Sequence, residues 1–171
     1  MPHPAALTDD ELLRDCVWSR HRGSGPGGQR RNKVETGAHI VHTPTGLAAQ
    51  ASERRHHEEN RRVALKRLRL ALATEHREPA PVPKGLDEVA SELWRRRRQG
   101  QQIVCNPSHR DYASLLAEAL DIAHDSRWDL KKTALRLGVT GSQILKLVRQ
   151  HPPALVAWNA RRAERHQAPL K

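Results

Sequence analysis

The N-terminal third of the chain combines short alternating apolar stretches with a glycine-rich stretch. Residues 16–18 indicate a short strand, and residues 19–29, which hold four glycines, must form a loop. We predict a brief helix over residues 30–36. Residues 39–50 then predict a hairpin, because two apolar stretches flank the turn signal Thr43-Pro44-Thr45-Gly46.

Helical periodicity dominates the rest of the chain. Residues 53–76 predict a long basic helix with apolar residues on one face, and Pro79, Pro81 and Pro83 then break the chain. An amphipathic helix starting at Leu86 is expected to end in a run of four basic residues: Arg95, Arg96, Arg97 and Arg98.

Two capping boxes mark helix starts, at Thr8-Asp9-Asp10-Glu11 and at Thr140-Gly141-Ser142-Gln143. Further helices are predicted after Asn106-Pro107, over residues 129–137 and over residues 154–165. The prediction is an α+β fold divided into residues 1–78, a Pro-rich linker with a basic amphipathic helix over 79–102, and a helical region over 103–171.

Charge points to a polyanionic partner. The net charge is +11, and residues 22–72 contribute eleven basic and four acidic residues to it. Aromatic residues are only 3% of the chain, so phosphate contacts are a better expectation than base stacking. Two distant cysteines, Cys16 and Cys105, argue against a disulfide framework, and without an apolar signal core we expect a cytoplasmic protein.

The glycine-rich stretch has only the beginning of a phosphate-binding loop. Gly23 and Gly28 have the spacing of the first part of G-x-x-x-x-G-K-[ST], but Gln29 stands where Lys is required and Arg30 where a hydroxyl is required. The sequence therefore argues against a nucleotide site. A purely structural turn remains an alternative for the glycines alone.

The motifs that follow the glycines decide between these alternatives. Gly25-Pro26-Gly27-Gly28-Gln29, then Asn32-Lys33, His42 and Pro44-Thr45-Gly46, resemble the catalytic domain of class I peptide-chain release factors. Later positions also fall at the family's spacing, namely Gln50, Arg55, Asn60, Ala64 and Leu65. The resemblance covers roughly residues 12–75 and implies a β-α-β-β-α fold. Arg31, His39 and His56-His57 depart from the family's pattern.

The resemblance implies hydrolysis of the peptidyl-tRNA ester on the ribosome. The catalytic residues would be Gly27, Gly28 and Gln29, with the backbone amide of Gln29 stabilising the oxyanion. The residues that would support the loop are Ser24, Gly25, Pro26, Asn32 and Lys33. No cofactor and no metal is expected, because the loop holds neither metal ligands nor paired carboxylates. Glu35 as a general base is a weaker reading than a solvated helix residue.

Ribosomal RNA of the large subunit and peptidyl-tRNA are the partners implied. The candidate RNA-binding residues are Arg22, Arg30, Arg31, Lys33, His42, Arg54, Arg55, Arg61, Arg95, Arg96, Arg97, Arg98, Lys146 and Arg149. The resemblance also implies a glutamine methyltransferase acting on Gln29. We expect a monomer with no membrane partner. His56-His57-Glu58-Glu59 lacks the HExxH spacing of a zinc site and is interpreted as an RNA-facing helix start.

The second half leaves several functions open. Ala134, Gly138 and Ile144 have the spacing of a helix-turn-helix, which favours nucleic-acid docking through Ser142, Gln143, Lys146 and Arg149; a generic helical bundle is an equal alternative. No counterpart of a stop-codon-reading domain is found, so the chain resembles stand-alone members that rescue stalled ribosomes. The alternatives are a ribosome-binding factor acting through its helical half, and a DNA-binding regulator.

Overall fold

The computed structural model describes residues 2–21, 36–80 and 90–171. These form two compact units, which we call the N-terminal unit, Leu7–Leu72, and the C-terminal unit, Met1–Ala6 with Ala73–Lys171. The helix predicted over residues 30–36 falls almost entirely outside the described residues. The domain boundary predicted from the sequence, after residue 78, differs from this division and stays a prediction.

The N-terminal unit is a three-stranded antiparallel sheet with two helices. Along the chain its elements are α1 (Asp9–Arg14), β1 (Cys16–His21), β2 (Gly37–His42), β3 (Ala48–Ala51) and α2 (His57–Glu75), and the strand order is β1-β2-β3. The predicted hairpin is confirmed as β2 and β3, and the capping box of α1 is present in full.

Strand β1 is longer than its local sequence predicts. Ser19, Arg20 and His21 were expected in a loop, but they continue the ladder to β2, where His21 is the partner of Gly37. The prediction was wrong for these three residues because pairing with a neighbouring strand satisfies their backbone groups whatever their own propensity.

Helix α2 begins four residues later than predicted, at His57 instead of residue 53. The physical reason is the side chain of Asn60, whose Oδ1 accepts from the Arg54 amide at 2.9 Å and whose Nδ2 donates to the Arg54 carbonyl at 3.0 Å. These bonds hold the chain before the helix in a bend that a continuing helix would destroy. The buried face of α2 follows the predicted period through Ala64, Leu68 and Leu72.

The C-terminal unit is helical with one small hairpin. It contains a 3-10 helix (Pro4–Ala6) and, in order, α3 (Glu92–Arg97), β4 (Arg98–Gln99), β5 (Gln102–Ile103), α4 (Asp111–Asp125), α5 (Leu130–Arg136), α6 (Gly141–Arg149) and α7 (Pro152–Ala163). Sheet and helices together confirm the α+β class.

Within the described residues, helix α3 is shorter than its prediction. Its N-cap is Ser91, whose hydroxyl accepts from the Trp94 amide at 3.1 Å, so the described helix starts at Glu92. The predicted start at Leu86 lies outside the described residues. Arg98 leaves the helix and pairs with Ile103 in the β4–β5 hairpin. This hairpin was not predicted; its signal in the sequence was Gly100, which takes a positive φ of 57° in the two-residue turn.

The core of the C-terminal unit surrounds α4, which is buried on nearly all sides. Three large aromatic side chains each satisfy their polar hydrogen on a backbone carbonyl: Tyr112 on Leu147 at 2.8 Å, Trp94 on Leu137 at 3.0 Å, and Trp158 on Trp128 at 3.2 Å. These bonds tie separate segments together at buried positions, where an unpaired polar group would be costly.

Helices α5 and α6 form the predicted helix-turn-helix arrangement. Asp129 caps α5, Thr140 caps α6, and Gly138 between them has a φ of 64°, a conformation that suits glycine. Ala134 and Ile144 are buried, as their positions in the motif require.

Candidate functional site

The described strands bring the two ends of the glycine segment together. We use this name for residues 22–35, which lie outside the described residues and contain Gly27, Gly28 and Gln29. The segment follows His21 and precedes Thr36, and His21 is the ladder partner of Gly37. Whatever its own conformation, the segment therefore leaves and rejoins the sheet at neighbouring positions on two paired strands.

Asn60 holds the residue that follows the glycine segment. Its side chain is fully buried, and Nδ2 donates to the Thr36 carbonyl at 2.7 Å in addition to its bond to Arg54. One amide side chain thus connects the base of the segment, the bend before α2 and the first turn of the helix. Three hydrogen bonds to a buried amide make this a rigid anchor.

His57 also contacts the residue that follows the glycine segment. Its Nδ1 is 3.3 Å from the Thr36 carbonyl, and its side chain is half-buried. His57 was predicted to belong to an RNA-facing helix start, and Asn60 was predicted only to match the family's spacing. A buried amide one turn into a polar helix was the available signal, but its partners are separated from it by up to 24 positions in sequence.

His42, predicted to bind RNA, is buried at the end of β2. It is 2% exposed, and its Nδ1 is 2.8 Å from the Thr45 hydroxyl. The amide of Gly46, whose φ is 71°, donates to the His42 carbonyl. In this position His42 stabilises the β2–β3 turn, and its contact with RNA stays a prediction.

The basic residues at the start of α2 differ in what they contact. Arg54 and Arg55 are exposed, and no ion pair of either is found in the described parts of the chain. Arg61 is engaged instead: its guanidinium lies 4.7 Å from the centroid of the Trp18 ring, and Nη1 is 3.5 Å from Glu58. Arg61 therefore helps to pack α2 on β1.

Two further arginines of α2 bind within the N-terminal unit. Arg67 donates to the Gln50 carbonyl at 2.7 Å and pairs with Glu53, and Arg69 pairs with Asp9 at 2.6 Å. Both belong to the long helix that the sequence predicts as basic. Through these bonds they hold β3 and α1 against the long helix.

The run of four arginines in the C-terminal unit is similarly divided. Arg95 and Arg96 are exposed, whereas Arg97 pairs with Asp111 at 2.6 Å and Arg98 points Nη1 at the Gly138 carbonyl, 3.5 Å away. The hydrogen bonds that Arg97 donates to the Asp111 carboxylate hold the pKa of Arg97 above its usual range. Arg95 and Arg96 are thus the two of the four that have no ion pair or side-chain hydrogen bond among the described residues, and RNA binding by any of the four stays a prediction.

Within the described ranges no group of three His, Cys, Asp or Glu side chains could hold a metal ion. Cys16 and Cys105 are both free thiols, and burial raises the pKa of each. No helix in the described part of the chain is long and apolar enough to cross a membrane.

Comparison with known proteins identifies the N-terminal half. The RF-1 domain family matches residues 12–105. The mitochondrial "Peptide chain release factor 1-like" protein of Mus musculus is 40% identical over 78 residues, which cover 46% of this chain and 21% of the relative. "Peptide chain release factor 1" of Chloroherpeton thalassium is 35% identical over 77 residues, which cover 42% of this chain and 22% of the relative.

A third relative, "Peptide chain release factor 1" of Streptococcus pyogenes, is 42% identical over 73 residues, covering 43% of this chain and 20% of the relative. The chain thus spans about a fifth of the length of the curated relatives that it matches. The glycine segment lies inside the matched range 12–105.

Proposed function

Because this chain belongs to the RF-1 domain family, we propose that it hydrolyses the ester that joins a nascent peptide to tRNA on the ribosome. The observation that carries this proposal is the intact Gly27-Gly28-Gln29 sequence within the matched range, attached to two paired strands. The substrate is peptidyl-tRNA, and the products are the free peptide acid and tRNA.

The proposed reaction needs no side chain of the protein as a nucleophile, acid or base. Water attacks the ester carbonyl, negative charge develops on its oxygen, and the backbone N–H of Gln29 donates to that oxygen. Gly27 and Gly28 allow backbone angles that a Cβ would exclude. The Gln29 side chain would admit water and exclude larger nucleophiles, while ribosomal RNA and the tRNA complete the site.

The described residues support this role by anchoring the segment. An oxyanion donor acts well only when its position is fixed before the reaction, because reorganisation during the reaction would cost free energy. The Asn60 bond to the Thr36 carbonyl and the pairing of His21 with Gly37 supply that anchorage at both ends of the segment.

We further propose that the protein acts on stalled ribosomes without reading a stop codon, in the cytoplasm. Support comes from the C-terminal unit, a helical arrangement with a basic surface that is suited to docking on RNA. The partners would be large-subunit ribosomal RNA and peptidyl-tRNA, with a methyltransferase modifying Gln29.

Peptide release provides the test. Ribosomes carrying labelled peptidyl-tRNA are prepared with the mRNA truncated in the A site, with a sense codon there, and with a stop codon there. We expect release on the truncated mRNA at least as fast as on the stop codon. Release that requires the stop codon would contradict the rescue role and leave the hydrolase role standing.

A binding function with little hydrolysis is the second candidate, and the basic C-terminal unit favours it. This alternative predicts that the protein binds the same ribosomes but does not release their peptide. Absence of release at saturating protein, with binding intact, would decide for this alternative.

A further inference from the structure

We propose that one exposed face of α6 is a second RNA-binding site, which contacts phosphates independently of the glycine segment. This α6 face consists of Ser142, Gln143, Lys146, Arg149 and Gln150. The inference deepens the proposed function and rests on it for the identity of the RNA, namely that of the large ribosomal subunit.

Packing leaves this face free. Ile144, Leu147 and Val148 are buried on the inner side of α6 and join it to the core of the C-terminal unit. The five face residues recur at helical spacing on the opposite side, where Ser142, Lys146, Arg149 and Gln150 are exposed. The face therefore presents two cations, two amides and a hydroxyl together.

The cap of α6 leaves the Gln143 side chain available. The sequence predicts a reciprocal capping box, and half of it forms: the Gln143 amide donates to the Thr140 hydroxyl at 3.4 Å. The other half is replaced, because the Thr140 amide donates to the Gln101 carbonyl of the β4–β5 turn at 3.3 Å. Gln143 is thus not needed at the cap.

The available Gln143 side chain lines a groove between α6 and the β5 segment. The groove has a volume of about 220 Å³, and its lining includes the polar residues Gln102, Asn106, Gln143, Lys146 and Gln150. Amides and an ammonium group side by side offer hydrogen-bond donors to phosphate and ribose oxygens.

Charge on the surrounding helices is of one sign. Residues 130–163 contain no Asp or Glu and seven basic residues: Lys131, Lys132, Arg136, Lys146, Arg149, Arg161 and Arg162. Arg136 pairs with Asp125, Arg161 pairs with Glu164, and Arg162 donates to the Trp128 carbonyl.

The remaining four cations have no such partner. Among the described residues, no ion pair involves Lys131, Lys132, Lys146 or Arg149. Lys131 and Lys132 lie in the first turn of α5, and Lys146 and Arg149 lie on the exposed side of α6. A polyanion would supply the counter-charge that the described residues do not.

RNA is a better occupant than a protein or duplex DNA. A protein partner would use a large aromatic or apolar anchor, whereas the α6 face has none and the half-exposed Val104 of the groove lining is small. The major groove of an RNA helix is too deep and narrow for a protein helix, so binding would involve phosphates and ribose hydroxyls rather than base edges. We therefore expect affinity that is salt-dependent and tolerant of sequence.

The test compares two double variants of the full chain. Lys146→Glu with Arg149→Glu reverses the α6 face, and Arg165→Glu with Lys171→Glu applies the same charge change outside it. Binding to deproteinised large-subunit rRNA, to intact large subunits and to a DNA duplex is measured by fluorescence anisotropy over a salt series. Circular dichroism and thermal unfolding confirm that each variant folds.

We expect the face variant to bind rRNA at least about tenfold more weakly near 0.1 M salt, with a salt slope reduced by about 1.5, because two phosphate contacts are lost. The control should retain most of the affinity. Equal losses in both variants, unchanged rRNA binding by the face variant, or tighter binding to the DNA duplex would each overturn the proposal. Loss of subunit binding with unchanged rRNA binding would also overturn it, in favour of a ribosomal protein.

These measurements involve no hydrolysis, so the inference can fail or stand separately from the proposed function. Gly28→Ala protein, tested in parallel, should bind rRNA like the unmodified chain. If no preparation released peptide but the face variant alone lost rRNA affinity, the hydrolase role would fall and the binding site would remain.

Discussion

Gly28 is the residue at which a single methyl group should separate binding from hydrolysis. Gly28→Ala adds a Cβ where the proposed oxyanion geometry requires backbone freedom, while the basic surfaces keep their charge. We expect release from stalled ribosomes to fall by about a hundredfold or more, with ribosome binding unchanged. Single-turnover release at saturating protein measures this. Unchanged turnover would remove Gly28 from the active site.

Gln29→Ala provides a contrasting change at the next residue. The proposed oxyanion donor is a backbone amide, which this substitution keeps. The rate of release by water should therefore decrease less than in Gly28→Ala. The rate of release by hydroxylamine should increase relative to the rate by water. An identical loss with both nucleophiles would argue that the side chain does not select water.

Asn60 tests whether the anchor described above matters for chemistry. Asn60→Ala leaves the Thr36 carbonyl and both backbone groups of Arg54 without their partner, which should lower the free energy of unfolding by about 3 kcal/mol. Asn60→Asp keeps the acceptor for the Arg54 amide but places a buried carboxylate oxygen against the Thr36 and Arg54 carbonyls, so it should be at least as destabilising at neutral pH. Both variants lose the hydrogen bond to the Thr36 carbonyl. Measured below their unfolding temperatures, both should therefore release peptide more slowly than the unmodified chain. Normal release rates would limit Asn60 to a role in stability.

His3 makes the C-terminal unit sensitive to acid. Its Nδ1 accepts from the Ala5 amide at 3.0 Å, so Nε2 carries the hydrogen toward the His76 carbonyl at 3.3 Å. Burial lowers the pKa of His3 from 6.5 to about 4. Below pH 6.5 the unfolded chain binds a proton that the folded chain does not, so stability decreases as the pH falls from 6.5 to 4.

His3 alone should contribute a loss of about 3 kcal/mol over that range. Asp121, whose pKa burial raises to about 6, contributes in the opposite direction, so the His3 contribution is read from a comparison with a variant. Urea unfolding followed by tryptophan fluorescence at pH 7.5 and pH 5 measures the part lost between these values, about 2 kcal/mol, as the difference between the unmodified chain and a His3 variant. Three of the four Trp residues belong to this unit. His3→Asn keeps an acceptor for Ala5 and cannot be protonated, so it should flatten the dependence. The same dependence in both proteins would assign it to other groups, such as His151, whose pKa burial also lowers.

At the scale of elements, the basic residues of α2 divide into a binding pair and a packing residue. Arg54→Ala with Arg55→Ala should flatten the salt dependence of binding to large subunits, since both residues are exposed. Arg61→Ala should instead lower stability by about 1 kcal/mol through loss of the contact with Trp18. A salt slope that changes only with Arg61 would reverse this assignment.

At the scale of the whole molecule, the two units suggest a division between hydrolysis and targeting. A truncation after Arg98 would cut through the C-terminal unit and leave Trp94 without the Leu137 carbonyl, so residues 7–75 are the better fragment. If this fragment folds, as circular dichroism would show, we expect slow release at high concentration without preference among stalled complexes. Preference equal to that of the full chain would argue against a targeting role for the C-terminal unit.

The sequence alone determined what depends on neighbours along the chain. The cap of α1, the β2–β3 turn, the apolar face of α2 and the start of α6 follow from local hydrogen bonding and periodicity, and the motif from Gly25 to Gln29 is itself local. Tertiary structure decided what depends on distant partners. β1 extends to His21 because β2 lies beside it, α2 starts late because Asn60 binds the backbone of Arg54, and α3 ends where the hairpin begins. Among the arginines, charge was visible in the sequence, but whether each binds a carboxylate, an aromatic ring or solvent depended on residues up to 60 positions away, as with Arg69 and Asp9.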